Sequence, residues 1–150
     1  LLWQDYGGKA PERVGLSHPS ICPYGAFKTA DGKTIFLSIQ NEREWQRFCV
    51  EILVDADFVE QYPDNSSRLA NRSVVDGCVE TALGKLSHTE ASAKLKKSEI
   101  AYSTLNDVQG LSSHPILRRA FISNPEGKIN VPAPPAIFND APQDSLKEVP

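Results

Sequence analysis

The segment GLSHPSICPYGAFKTADGKTIFLSIQ, residues 15–40, joins a proline-containing loop to an alternating run that is typical of paired strands. Asp31-Gly32 predicts a type I′ hairpin turn, because glycine tolerates the positive φ that this turn requires. In the second strand Ile35, Leu37 and Ile39 point to one face, where we expect them to meet the core. The segment therefore predicts an antiparallel hairpin directly after a loop.

The loop itself is expected to be stiff, because Pro19 and Pro23 fix their own φ angles and push the preceding residues toward extended conformations. Gly15 and Gly25 flank it and would allow the backbone to approach a ligand closely. From the residues alone, two interpretations stay equal. The loop is a ligand-contacting surface, or it is a rigid linker in which His18 bonds a nearby carbonyl.

Helical patterns follow the hairpin. NEREWQRFCVEIL, residues 41–53, places apolar residues on one face, a second helix is expected to begin at Ser73, and a capping box at Ser87 opens a third. SSHPILRRAF, residues 112–121, predicts a short fourth helix, followed by an edge strand and an extended proline-rich stretch. A hairpin with three to four helices predicts a small α+β domain.

The composition argues against several classes of function. The net charge is −3 and the sixteen basic residues are scattered, so no nucleic-acid partner is expected. No apolar run is long enough to span a membrane, and no phosphate-binding glycine motif or nucleophile elbow occurs. The histidines and cysteines lack the spacing of a metal site, so neither a metal nor a covalently bound cofactor is expected.

The cysteines also indicate a compartment. Three cysteines without a paired spacing are expected to be free thiols in a reducing environment, the cytoplasm or, in a eukaryote, the mitochondrion or peroxisome. The chain contains no methionine and begins with Leu1, so we expect it to be an excised or processed piece of a longer protein.

Several segments in order carry a resemblance. Residues 15–49 read G-x-x-HPSI-x-PY-x-x-F-x-T-x-DG, followed by a strand and a helix with tryptophan, and residues 65–83 begin Asn-x-x-Arg-x-x-Asn-Arg. Residues 105–122 and the Pro-x-Pro-Pro run within 129–142 continue the pattern. Together they closely resemble the family III CoA-transferases, a group that includes formyl-CoA transferase, carnitine CoA-transferases, succinyl-CoA-dependent dicarboxylate transferases and α-methylacyl-CoA racemase.

The resemblance implies an architecture. In this family a large α/β domain is interrupted by a smaller α+β domain, and two subunits interlock. The chain resembles that inserted small domain, with a connector and loop at 1–22, the domain at 23–131 and a proline-rich return connector at 132–150. Its expected partners are the remainder of the enzyme chain and, in the full-length protein, a second copy.

The resemblance also implies an activity, the transfer of CoA from an acyl-CoA to a carboxylic acid. The family's nucleophilic aspartate belongs to the large domain, so no residue here is expected to be catalytic and the chain is expected to be inactive alone. His18 or Tyr24 is expected to hydrogen-bond a substrate carboxylate. The loop is expected to cover the acyl site, with these residues binding substrate or supporting that surface: Gly15, His18, Pro19, Ser20, Ile21, Pro23, Tyr24 and Gly25.

Two alternatives stay open. One is a racemase-type epimerase, which needs a pair of bases and no covalent aspartate, and the other is a non-catalytic module for interaction or structure. The acyl donor and the acceptor acid are also open. One departure from the family pattern concerns IAYSTLND, residues 100–107, which stands where many relatives have Val-Pro-x-Gly-Pro-Val-Asn, so the pocket wall near Tyr102 is expected to differ.

Overall fold

The computed structural model describes residues 1–10 and 12–136, except for the side chain of residue 124. The chain divides into two compact units, Leu1–Leu105 and a second unit that begins at Asn106. Helices combined with two small antiparallel sheets confirm the predicted α+β class. The predicted boundaries after residues 22 and 131 stay predictions, and residues 137–150 of the predicted return connector lie outside the described residues.

The first unit alternates short and longer helices around one sheet. Within the described ranges, none of its helices, nor any in the second unit, has the length and hydropathy to cross a membrane. The helix Glu42–Phe48 continues into a π-helical turn, Cys49–Leu53. The elements are α1 (Leu2–Gly7), β1 (Tyr24–Lys28), β2 (Thr34–Ser38), α2 (Glu42–Phe48), α3 (Asp57–Gln61), α4 (Asn65–Ala70), α5 (Arg72–Leu83), α6 (His88–Lys97) and β3 (Ala101–Thr104).

The predicted hairpin is confirmed, since β1 and β2 pair antiparallel with Phe27 opposite Ile35. Its turn differs from the prediction. The Gly32 N–H bonds the Thr29 carbonyl at 2.9 Å, and Gly32 has a φ of 76° whereas Asp31 does not have a positive φ. A type I′ turn needs positive φ at both central residues, so that prediction is wrong. The chain uses a type I turn followed by a left-handed glycine.

A third strand, β3, pairs with β2 and places Tyr102 opposite Leu37. The sequence pattern did not predict this strand. Its residues are largely exposed, as expected for an edge strand, so it lacks the apolar alternation that marks a half-buried one. The segment that departs from the family pattern therefore completes the sheet, in the order β1-β2-β3.

One hydrophobic core joins the sheet to the helices. Ile35, Leu37 and Ile39 are at most 1% exposed, which confirms the predicted inward face of β2. Burial of each such side chain contributes about 1.5–3 kcal/mol, so this face fixes α2, α5 and α6 against the sheet and positions the loop that leads into β1. The other large members are Phe27, Trp45, Phe48, Ile52, Phe58, Val75, Val79, Leu83, Leu95 and Ile100.

The second unit contains α7 (Val108–Ser112) and a hairpin of β4 (Arg119–Asn124) and β5 (Gly127–Pro132). The predicted helix at 112–121 is wrong. The helix lies earlier because Asp107 caps it, accepting the Gly110 N–H at 2.7 Å, and the chain passes through a turn at Pro115 before it enters β4. The predicted turn at residues 125–127 joins the two strands.

Candidate functional site

The residues predicted to bind substrate form one continuous segment, the loop before β1 and the start of that strand. His18, Pro19 and Ser20 line an open cavity, whereas Pro23 and Gly25 are buried behind it. The structure therefore separates residues that can touch a ligand from residues that support the loop, and their roles in binding stay predictions. The residues of this segment that do not line the cavity also include Gly15, Ile21 and Tyr24.

The two flanking glycines serve the backbone in different ways. Gly15 has a φ of 64°, the left-handed region that favours glycine, and nothing lies within 4 Å of the position of a Cβ atom. Gly25 lies in β1, where a Cβ atom would meet Ser17 Oγ at 3.5 Å, an ordinary contact. Gly15 is thus required for the direction of the chain, and neither glycine is needed to open space for a ligand in this structure.

Three side chains at the junction of α4 and α5 hold the loop, and we name Asn65, Arg68 and Arg72 the anchor. Asn65 donates from Nδ2 to the Ser20 carbonyl at 2.9 Å and accepts the Cys22 N–H at 3.1 Å. Arg68 Nε donates to the Cys22 carbonyl at 2.8 Å. Because all of these bonds go to the loop backbone, the anchor fixes the path of the chain whatever side chains the loop carries.

Arg72 closes the turn that faces the cavity. Its Nη2 atom donates to the His18 carbonyl at 2.7 Å and to the Ile21 carbonyl at 2.8 Å. Its Nη1 atom lies 3.6 Å from Asp76 Oδ2, one helical turn further along α5. The guanidinium group therefore joins the loop backbone to the helix, and Pro19 and Ser20 lie between its two carbonyl partners.

Arg68 belongs to the core rather than to the surface. Its side chain is 1% exposed, and its guanidinium carbon lies 5.0 Å from the centre of the Trp45 ring. The Glu42 carboxylate lies 3.4 Å from Nη2 but is itself more than half exposed. The hydrogen bond to Cys22 and the cation–π contact with Trp45 offset part of the cost of desolvating this charge, and Nη1 is buried without a hydrogen-bond partner among the described residues. Arg68 thus ties the loop directly to the hydrophobic core.

A thiol and a carboxyl group lie beneath the loop. Cys22 donates from Sγ to Asp76 Oδ1 at 3.8 Å. Burial, with the negative charge of Asp76 as a second cause, raises the pKa of the Cys22 thiol to about 12. Desolvation also raises the pKa of Asp76, although the neighbouring Arg72 opposes that shift. A thiol with such a pKa is a poor nucleophile near neutral pH, so this pair is structural.

His18 is oriented by its neighbours. Its ring stacks on Tyr24 with centroids 5.1 Å apart, and its backbone N–H bonds the Tyr24 carbonyl at 3.2 Å. The Ser20 N–H donates to His18 Nδ1 at 3.2 Å, so the neutral ring carries its proton on Nε2 and can donate from there. Ser20 Oγ is 3.4 Å from the same Nδ1, a long hydrogen-bond distance.

The cavity beside the loop has a volume of about 1120 Å³. Its lining combines aromatic side chains from α1 with aliphatic, basic and polar groups from the segments that follow, and the one acidic side chain among the described lining residues, Glu12, pairs with Lys9 at 2.8 Å. Within residues 1–10 and 12–136, no three histidine, cysteine or carboxylate side chains approach closely enough to hold a metal. The surface is suited to binding, and its other lining residues are Trp3, Tyr6, Gly7, Ala10, Val14, Ser17, His18, Pro19, Ser20 and Arg72.

The anchor is the part of the site that sequence reasoning missed. Asn65, Arg68 and Arg72 belong to the segment 65–83 that carries the family resemblance, but the sequence did not predict which groups they bond. A signal was present, because spacings of three and four residues place polar side chains on one helical face. Nothing in the sequence indicated that this face bonds the backbone of a loop near residue 20.

Comparison with known proteins shows the family to which the chain is similar. The model of CoA-transferase family III matches residues 1–150. The succinyl-CoA:mesaconate CoA-transferase of Haloarcula marismortui is 38% identical over 65 residues, which is 43% of this chain and 16% of that protein. The human succinyl-CoA:glutarate CoA-transferase is 27% identical over 135 residues, 85% of this chain and 30% of that protein.

Solved structures show the same fold. A CaiB/BaiF family protein from Brucella suis matches with a TM-score of 0.75 and 23% identity, over 95% of this chain and 38% of that one. Rv3272 from Mycobacterium tuberculosis matches with a TM-score of 0.70 and 23% identity, over 85% of this chain and 38% of that one. The chain thus spans less than two fifths of the length of each of these proteins.

Proposed function

Because the chain belongs to CoA-transferase family III, we propose that it is part of an enzyme that moves CoA from an acyl-CoA donor to a carboxylic acid. The named relatives transfer CoA between succinate and mesaconate or glutarate. Dicarboxylic acids and their CoA thioesters are therefore the first substrates to test. The CoA thioester is a substrate in this proposal and not a resident cofactor.

Within that enzyme, we propose that residues 15–25 cover the acyl site. The observation that carries this proposal is the turn at His18–Ile21, which lies on an open cavity and whose carbonyls are bound by side chains of α4 and α5. A covering segment needs a fixed shape, because exclusion of water strengthens each electrostatic contact inside the site.

Charge and hydrogen bonding support a carboxylate at this surface. Lys9 and Arg72 contribute two positive charges to the lining, of which Glu12 offsets one, and His18 contributes a ring N–H. An N–H donor or a cation beside a carboxylate forms a charge-assisted hydrogen bond, which is stronger than a neutral one. We propose that His18 donates from Nε2 to the carboxylate of the acid substrate.

We propose that the nucleophile lies outside this chain, in the remaining part of the enzyme. The described part of the cavity contributes one carboxylate, Glu12, which is paired with Lys9, and the thiol nearest the loop, Cys22, is buried. The isolated chain is therefore expected to catalyse no transfer. A covalent acyl or CoA adduct on a carboxylate of the isolated chain, detected by mass spectrometry, would contradict this.

The test is CoA transfer by the full-length enzyme with His18→Ala. We expect kcat/KM for the acid substrate to fall by about tenfold or more, since one charge-assisted bond contributes about 1.5–3 kcal/mol. His88→Ala is the matched control, because His88 is half-buried, bonds Thr104 at 3.0 Å and does not line the cavity. Unchanged kcat/KM for every acid tried would remove His18 from the binding set.

A second experiment on the full-length enzyme distinguishes CoA transfer from epimerisation. Incubation with a 2-methylacyl-CoA in deuterium oxide, without an acceptor acid, should leave the α-proton in place if the enzyme is a transferase. Rapid α-exchange without CoA transfer would instead favour the racemase branch.

We also propose that the full-length enzyme is an interlocked homodimer, which light scattering of that protein would test.

A further inference from the structure

The turn beside the cavity is closed from outside the loop. A β-turn is ordinarily closed by its own backbone, from the carbonyl of the first residue to the N–H of the fourth. Here the carbonyls of the first and fourth residues, His18 and Ile21, both accept from Arg72 Nη2. The shape of the Pro19–Ser20 segment therefore depends on a side chain of α5, in addition to the bond from Asn65 to the Ser20 carbonyl.

We propose that Arg72 is a positioning residue that keeps this turn closed over the acyl site and so protects the acyl group from water. The inference rests on the proposed function of the loop. When the turn opens, water adds to the acyl carbonyl carbon and the thioester C–S bond breaks. The sulfur leaves with a proton, so acyl-CoA and water give the free acid and CoA thiol.

The geometry requires an arginine at this position. The planar guanidinium group directs Nη2 at two carbonyl oxygens while Nη1 faces Asp76 at 3.6 Å. A lysine ammonium is a single point that cannot reach both directions at once, although it keeps the charge. Arg72→Lys is therefore expected to preserve part of the function, and Arg72→Met none of it.

Arg72 can be replaced without disturbing the core. Its side chain is 27% exposed, whereas that of Arg68 is 1% exposed and stacks on Trp45. Asn65 and Arg68 still bind the backbone of Ser20 and Cys22 when Arg72 is lost, so only the carbonyls of His18 and Ile21 are released. A variant at Arg72 should thus open the turn at residues 18–21 while the fold remains.

The experiment has two readouts in the full-length enzyme. Hydrogen exchange measured by mass spectrometry reports the turn independently of activity, and we expect peptides that contain residues 17–22 to exchange about tenfold faster in Arg72→Met. The second readout is the ratio of free CoA thiol to product acyl-CoA during turnover. We expect that ratio to rise about tenfold in Arg72→Met and by less in Arg72→Lys. Arg43→Met, an exposed arginine on α2, is the matched control and should change neither readout.

The outcomes separate the two proposals. Unchanged hydrogen exchange in Arg72→Met refutes the positioning role, and so does faster hydrogen exchange with an unchanged ratio of free CoA thiol to product acyl-CoA. If the wild-type enzyme transfers no CoA, the proposed function is refuted, and with it the role of Arg72 in protecting the acyl group. Faster hydrogen exchange in Arg72→Met would then still support the anchor as a structural feature. If Arg72→Met does not fold, Arg72→Lys is judged by the same two criteria.

Discussion

Replacement of Asn65 by aspartate tests how strongly the anchor holds the loop. In the wild type, the amide nitrogen donates to the Ser20 carbonyl at 2.9 Å, and the amide oxygen accepts the Cys22 N–H at 3.1 Å. Asn65→Asp keeps the second bond and replaces the donor of the first with an oxygen. When that carboxyl group is ionised, two oxygens face each other across a hydrogen-bond distance.

The size of the effect follows from the lost bond. A carbonyl left without its donor costs about 1–3 kcal/mol, and the lower half of that range applies because Asn65 is partly exposed. The retained bond from the Cys22 N–H becomes charge-assisted and offsets part of the loss. We expect Asn65→Asp to lower the free energy of unfolding by about 1–2 kcal/mol at pH 7.

The decrease in unfolding free energy caused by Asn65→Asp should become smaller as the pH falls. A protonated carboxyl group can donate its O–H to the Ser20 carbonyl as the amide does, so folding raises the pKa of the introduced group above its unfolded value of about 3.9. The hydrogen bond from the protonated carboxyl group therefore contributes fully to the free energy of unfolding below about pH 4. This contribution is lost as the pH rises through the folded-state pKa. Arg68 and Arg72 favour the ionised form, so the recovery should come below about pH 5.

Urea unfolding followed by tryptophan fluorescence measures this, because Trp45 is fully buried in the core. The difference between Asn65→Asp and wild type should shrink to below about 0.5 kcal/mol at pH 4, whereas Asn65→Ala should show a constant deficit. Asn71→Asp is the control, since Asn71 donates to the Ser67 carbonyl at 2.9 Å at an exposed position. A deficit for Asn65→Asp that is equal at pH 7 and pH 4 would refute the reasoning.

Four further predictions concern the fold. Val54 is 76% exposed and has φ 57° and ψ 38°, a left-handed conformation that strains a β-branched residue. Val54→Asn should therefore raise the unfolding free energy by about 1 kcal/mol in the same assay, and Val54→Ala should raise it by less. Burial raises the pKa of the thiols of Cys22 and Cys49 to about 12, so at pH 8 a disulfide reagent should modify the half-buried Cys78 first. The raised folded-state pKa stabilises the fold below the ordinary value of 9.0, so stability should fall as the pH rises from there toward 12; constant stability over that interval would count against buried thiols. Ser87→Ala removes the hydroxyl that caps α6 and should cost about 1 kcal/mol, measured by urea unfolding.

Local signals predicted the parts of the fold that local physics determines. The alternation in β2, the apolar stripe of α2 and the capping box at Ser87 each describe interactions within a few residues, and each is confirmed. The misplaced fourth helix was also a local choice. Pro115 suggested a helix start, but Asp107 provides the cap, and the residues from Arg119 onward pair as a strand instead.

Long-range interactions were out of reach of the sequence for a physical reason. Strand β3 has little apolar pattern of its own because an edge strand is stabilised by the hydrogen bonds it makes to β2. The anchor bonds backbone carbonyls, and every residue has a carbonyl, so no side-chain pattern in the loop identifies its partners. The sequence therefore identified the predicted binding residues as a loop, but it did not identify the anchor residues that hold this loop in its shape.

The backbone character of the anchor has a consequence for specificity. The hydrogen bonds from Asn65, Arg68 and Arg72 to the loop all go to its N–H and carbonyl groups, so a change of the Ser20 side chain removes none of these bonds. Pro19 and Ser20 can therefore change the surface presented to a substrate while the turn keeps its shape. A loop of this kind separates the residues that select a ligand from those that hold the structure, and acid preference in the full-length enzyme should respond to substitutions at residues 19 and 20 more than stability does.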